Sequence, residues 1–219
     1  MKKFLDRIPL SPNQSKGEEI ANSITHGIGV VVSIAALVIL VVFSSLQGDA
    51  WKIVSFSIYG ATMITLFLAS TLYHSFTNIY VKKFFRIIDH SSIFLLIAGT
   101  YTPLLLLPMR GAWGWSIFGV VWGLTLFGII FEIFFMGRFK AVTLSLYIMM
   151  GWIIVVAIKP MLNTVPKSLL YYISAGGLFY TFGIIFYVNK KLKYHHSIWH
   201  LFVLGGAISH FLGIYFYLL

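Results

Sequence analysis

Residues 21–46 read ANSITHGIGVVVSIAALVILVVFSSL, a run without one charged side chain. A helix of that length crosses the ~30 Å hydrocarbon core of a bilayer, which takes about 20 residues at 1.5 Å each. The run is continuously apolar rather than alternating, so it does not read as the strand of a membrane barrel. Six further apolar runs follow, at 52–76, 87–107, 112–135, 142–158, 168–188 and 197–217. Residues that interrupt or cap helices stand between them: Gly48-Asp49, Asn78, Pro108 with Gly111, Gly137, Lys159-Pro160 with Pro166, and Asn189. The expectation is an all-α, multi-pass membrane protein, a bundle of seven transmembrane helices over 18–219. A polar, mobile leader is expected over 1–17. Ser15-Lys-Gly-Glu18 has the form of a capping box, which starts the first helix there. The first apolar run is too long for a signal-peptide core and lies behind a leader carrying both charge signs, so it reads as a retained span.

Composition supports the same class. Of the 219 residues, 59% are apolar and only 10% charged, with a mean hydropathy of +0.90. A water-soluble domain needs more charge than this to cover its surface. There is no cysteine, so disulfides, thiolate ligands and cysteine nucleophiles are excluded. The net charge of +10 does not point to nucleic acid, because the basic residues sit in short loops between apolar runs. Twelve of the sixteen lie in the leader and in the loops after the second, fourth and sixth runs. Only Lys52, Arg110, Lys159 and Lys167 lie on the other side. Basic loops stay cytoplasmic, which predicts the N-terminus inside and the C-terminus outside.

With that topology the polar residues sort by depth. His26, His74, His90, His195, His196 and His200 all fall at cytoplasmic ends of spans; His210 alone lies deeper, about 20 Å beyond His196 along the last helix. His196 and His200 are four residues apart and share one helix face, a spacing that lets two imidazoles chelate one ion. Ser70 and His74 share a face in the same way. Asp89 sits about one turn into the third span, where a lone carboxylate costs several kcal/mol unless paired or neutralised. Three imidazoles, His74, His196 and His200, with a fourth position left to water make the composition of a catalytic zinc site. Zinc suits nitrogen ligands and lowers the pKa of a bound water towards ~7; Asp89 would take that proton, with Ser70 bonding the water or the oxyanion. Glu19, Asn22, His26 and His90 are candidates for orienting the ligands. Bland readings stand beside these: a structural Arg86–Asp89 pair, an interfacial His74 bonded to a carbonyl, a helix contact through Glu19, Asn22 and His26. Glu132 reads as structural, paired with Arg138 or Lys140, and His195 as a solvated neighbour of Lys193. Gly119, Gly123, Gly205 and Gly206 read as close packing within the bundle, against a contact between chains. Trp51, Trp113, Trp115 and Trp199 read as interfacial anchors.

Four motifs carry a resemblance: Glu18-Glu19-Ile-Ala-Asn22-Ser-Ile-Thr-His26, Ser70-Thr-Leu-Tyr-His74, Asp89-His90-Ser-Ser-Ile-Phe-Leu-Leu-Ile-Ala-Gly-Thr-Tyr-Thr-Pro103 and His196-Ser-Ile-Trp-His200. In this order, from about Glu18 onwards, the chain resembles the bacterial hemolysin III family, which belongs with the progestin and adipoQ receptors. The resemblance implies seven helices in the bacterial plasma membrane, a cytoplasmic N-terminus and an intramembrane Zn2+ held by His74, His196 and His200. It places Asp89 near the zinc-bound water. These relatives are similar to alkaline ceramidases, which implies a zinc-dependent hydrolase with a membrane lipid amide or ester as substrate. The alternative is a non-enzymatic sensor or regulator in which zinc staples the spans together. A secreted pore former, which the family name evokes, is expected to carry an amphipathic insertion segment, and none is recognisable here.

Overall fold

The computed structural model describes residues 2–10 and 14–219. Its elements are α1 (Lys2–Asp6), α2 (Lys16–Gln47), α3 (Ala50–Ser75), α4 (Ile79–Leu106), α5 (Ala112–Phe135), α6 (Lys140–Trp152), a 3₁₀ segment (Ile153–Ala157), α7 (Ile158–Thr164), α8 (Lys167–Val188) and α9 (His195–Tyr217). No strand occurs among the described residues. Six units are long and apolar enough to cross a membrane: α2, α3, α5, the composite Lys140–Thr164, α8 and α9. The other long helix, α4, has 28 residues, but Lys82, Lys83, Arg86 and Asp89 crowd its first half.

Local chemistry sets the boundaries. Ser15 and Glu18 form the expected capping box at the start of α2. Gly48, at φ 71°, ends that helix in the left-handed region that glycine adopts without strain. Asp49 accepts from the N–H groups of Trp51 and Lys52 to cap α3, and Asn78 accepts from Tyr80 and Val81 to cap α4.

The helices form a ring in the order α5, α4, α3, α2, α9, α8, closed by α6. At one end of it Glu18 accepts from the Tyr194 N–H and Ser197 donates to Asn22. At the other end Gln47 and Lys52 both donate to the Leu219 carbonyl. So α2 and α9 run parallel, and the starts of α2, α4 and α9 meet the end of α3 at one end.

Buried polar side chains share the interior with an apolar core, while many large apolar side chains face outward. Asn22, His26, Ser70, His74, Arg86, Asp89, Glu132 and His200 are buried, while Val31, Leu126, Phe134 and Val156 are exposed. With lipid outside, hydrophobic burial does not hold the helices together; close packing and hydrogen bonds do. Gly29 lies against Phe67, Gly60 against Leu37, Gly99 against Thr62 and Gly128 against Phe94. Several hydroxyls buried in the helices are satisfied by the carbonyl one turn back, as Ser33 is by Gly29 and Ser44 by Leu40.

Several expectations are corrected. Part of the leader is folded: α1 sits on the bundle with Leu5 and Ile8 buried, because its apolar residues have a face to cover. Residues 1 and 11–13 of that leader lie outside the described residues. Gly205 and Gly206 do pack, against Phe179 and Tyr180, but Gly119 and Gly123 have open space beside them. Trp51, Trp113 and Trp115 are exposed, whereas Trp199 faces inward and packs on Gly183 and Tyr187. His195 opens α9 with Nδ1 at 3.2 Å from the Phe186 carbonyl, so it is not simply solvated.

The fifth unit does not stop at Lys159-Pro160. Pro160 falls in the first turn of α7, where its missing N–H is tolerated. It cannot bond back to Val156, and the chain upstream tightens into the 3₁₀ segment instead. Tyr101 fills the break: its hydroxyl donates to the Gly151 carbonyl at 2.7 Å and lies 3.4 Å from the Ile154 N–H.

Candidate metal centre

Two helices deliver the ligating atoms. His74 projects from the last turn of α3; His196 and His200 project from one face of the first turns of α9. Nitrogens of the three rings all lie within 4.8 Å of one another. The ring centres are 5.2 Å apart for His74–His196, 5.1 Å for His74–His200 and 4.5 Å for His196–His200. Among the described residues this is the one such group of histidine and carboxylate side chains.

Neighbours fix which nitrogen faces inward. The Glu19 carboxylate accepts from His74 Nδ1 at 2.7 Å and is itself held by Lys82 at 2.9 Å. That leaves Nε2 of His74 buried without a partner. His200 Nδ1 lies 3.3 Å from the Asn22 carbonyl, which accepts its proton and leaves Nε2 as the free lone pair. A ring nitrogen turned to a carboxylate or carbonyl, with the other left bare, is the usual state of a metal-ligating histidine. Asn22 ties the cluster together: it accepts from Ser197 at 2.6 Å and donates to Gln14 at 2.8 Å. A buried, bare nitrogen on His74, two aligned imidazoles and no sulfur donor fit a nitrogen-bound Zn2+.

His26 contributes by contact rather than by a hydrogen bond to a ligand. Its ring lies flat on His200, 3.6 Å between centres and 10° between planes, with its edge towards Phe67. His90 lines the same interior space, where its backbone carbonyl accepts from the Tyr147 hydroxyl. It makes no hydrogen bond to the three rings.

Asp89 and Ser70 also border that space. Asp89 is 8% exposed, faces Ser70 and makes no ion pair with Arg86. The Ser70 hydroxyl is buried and completes no hydrogen bond of good geometry among the described residues. Glu132 is likewise buried, turned towards Thr143 of α6, and pairs with neither Arg138 nor Lys140. Arg86 is itself buried, near both carboxylates, and forms no ion pair with either among the described residues.

The space itself is a cavity of about 270 Å³. It runs from His196 and Asp89 to Leu218, enclosed by apolar side chains of α4, α6, α7, α8 and α9. Val155 and Ile158 line it and yet are 53% and 40% exposed on the outer surface. The cavity is partly open, and its wall at the 3₁₀ segment includes side chains that are themselves exposed. Neither this opening nor the break at Tyr101 was visible in the sequence; Gly151 beside Trp152, ahead of Pro160, is the only local sign.

Residues 14–211 match the family model described as Haemolysin-III related. The chain is 50% identical over 202 residues to Hemolysin-3 of Bacillus cereus, covering 92% of each chain. It is 49% identical over 200 residues to the Hemolysin-3 homolog of Bacillus subtilis (strain 168), covering 91% of this chain and 94% of that one. A more distant relative is the Monocyte to macrophage differentiation factor of Homo sapiens, 30% identical over 207 residues and covering 92% and 84%. No solved structure matches. A polytopic helical chain whose motifs converge on one buried histidine cluster, with half its residues shared with such relatives, belongs to the haemolysin-III-related family.

Proposed function

We propose that this protein is a zinc-dependent intramembrane hydrolase acting on a lipid amide or ester. The observation that carries the reading is the adjacency of three histidines, an unpaired carboxylate and a partly open apolar cavity. His74, His196 and His200 would hold the ion, and zinc in such a site supplies Lewis acidity towards a carbonyl and towards water. Asp89 would accept the proton of the attacking water and return it to the departing nitrogen or oxygen. Ser70, which faces Asp89, would donate to the oxygen that gains charge. The cavity walls would hold the acyl chain and keep bulk water from the reacting carbonyl.

The proposal includes the membrane topology. Seven spans, with α4 as the third, put twelve of the sixteen basic residues and the histidine cluster on the cytoplasmic side. The chain has no cysteine, so single cysteines report sidedness without background. An impermeant maleimide on intact cells should label Arg110→Cys and leave Lys191→Cys unlabelled; the reverse pattern sinks the topology.

A second reading is supported by the way Glu19, Asn22 and Ser197 bind α2, α3 and α9 around the histidines. On that view zinc is a staple and the protein a sensor or regulator. Asp89→Asn separates the two. For a hydrolase, turnover of N-acyl and O-acyl lipids by purified, zinc-loaded protein should fall by about 10²–10⁴ in this variant, with zinc content retained. For a staple, no lipid is turned over by the wild type and in-cell function survives the substitution.

A further inference from the structure

Midway along the cavity, α8 and α9 present a second polar site that the hydrolytic chemistry does not use. His210 is 8% exposed and lines the cavity together with Tyr180. Its Nε2 lies 3.1 Å from the Ile173 carbonyl and so carries the proton donated there. Its Nδ1 is then a bare acceptor, buried and without a partner; the Tyr180 hydroxyl is buried and without a partner as well. The two rings are 5.6 Å apart, centre to centre, and do not bond each other.

Their positions are imposed by glycines on the opposite helix. Gly176 of α8 lies under the His210 ring, where a Cβ would collide with it. Gly206 of α9 lies under Tyr180, where a Cβ would come within 2.8 Å of the ring. Each ring is thus seated in a hole of its neighbour and cannot turn away to find another partner. Other polar groups nearby are spoken for: Tyr59 donates to the Ala207 carbonyl and Ser209 to the Tyr172 carbonyl. A buried acceptor and a buried hydroxyl left open in an apolar cavity cost stability unless something completes them.

A single hydroxyl completes both, donating to His210 Nδ1 and accepting from Tyr180. Ten residues of α9 separate His210 from His200, about 15 Å along the helix axis. We infer that His210 and Tyr180 form a recognition site for a hydroxyl carried partway along the ligand's acyl chain, about 15 Å from the group held at the histidine cluster. The inference rests on the reading of the cavity as a lipid site and names the class of lipid: one with a mid-chain hydroxyl.

Ricinoleate and oleate are the probes, identical but for a mid-chain hydroxyl, each competed against radiolabelled oleate on the purified full-length protein. Two hydrogen bonds to preorganised, otherwise unpaired groups should favour ricinoleate by about tenfold. In Tyr180→Phe the ratio should fall towards one. Equal affinities in the wild type, or a preference that survives Tyr180→Phe, would overturn the inference while leaving the lipid cavity standing; a bridging water then satisfies the pair. If neither fatty acid binds, the lipid reading fails and takes this site with it.

Discussion

The two sides of the helix ring are built on opposite principles. On the α2–α3–α4 side, glycines let helices approach until Gly29 meets Phe67 and Gly99 meets Thr62. Polar side chains cross between helices there, from Glu19 to His74 and from Asn22 to Ser197. On the α6–α7–α8 side the wall is a helix broken over Ile153–Ala157, which touches α8 through Trp152 on Gly177 and Thr181 and otherwise borders a cavity. The difference separates two tasks. A metal site needs ligands held to within a fraction of an ångström by a rigid surround, whereas admission of a lipid needs a wall that leaves room.

The comparison breaks most visibly if the tight side is disarmed. His196→Ala with His200→Ala should abolish zinc binding outright, since one histidine cannot hold the ion; elemental analysis reads this. Glu19→Gln removes the carboxylate that orients His74 and should weaken zinc affinity by about ten- to a hundredfold, measured by chelator competition. A smaller effect tests packing alone. Gly99→Ala places a methyl against Thr62, whose hydroxyl is already committed to the Tyr59 carbonyl, and should cost about 1–3 kcal/mol. Gly123→Ala, with open space beside it, should be neutral or slightly stabilising. Similar losses of thermal stability at both positions would argue against the contrast. On the open side, Tyr101→Phe deletes the hydroxyl that bridges the helix break and should cost about 1 kcal/mol, with altered lipid binding and unchanged zinc content.

The sequence reveals the tight side far better than the open one. Charge-free apolar runs announce their helices, and the histidines declare themselves because a polar group in lipid demands a reason. Spacing of four on a helix puts His196 and His200 on one face whatever surrounds them. The capping box at Ser15 and Glu18 is equally local, and so is legible. By contrast, Arg86, Asp89 and Glu132 invite ion pairing when read along the chain, and only the crossing of helices shows Asp89 facing Ser70 and Glu132 facing Thr143. Trp199 looks like an interfacial anchor because it stands near a span end; Gly183 on another helix is what turns it inward. The break in the fifth unit is filled by a tyrosine some fifty positions away, which no local pattern discloses.

Zinc content of detergent-purified protein, prepared without chelator or added metal, tests the central claim most directly, with the His196→Ala/His200→Ala variant measured alongside. The account predicts one zinc per chain in the wild type and none in the variant. Wild-type protein free of zinc, or a variant that keeps it, would contradict the account.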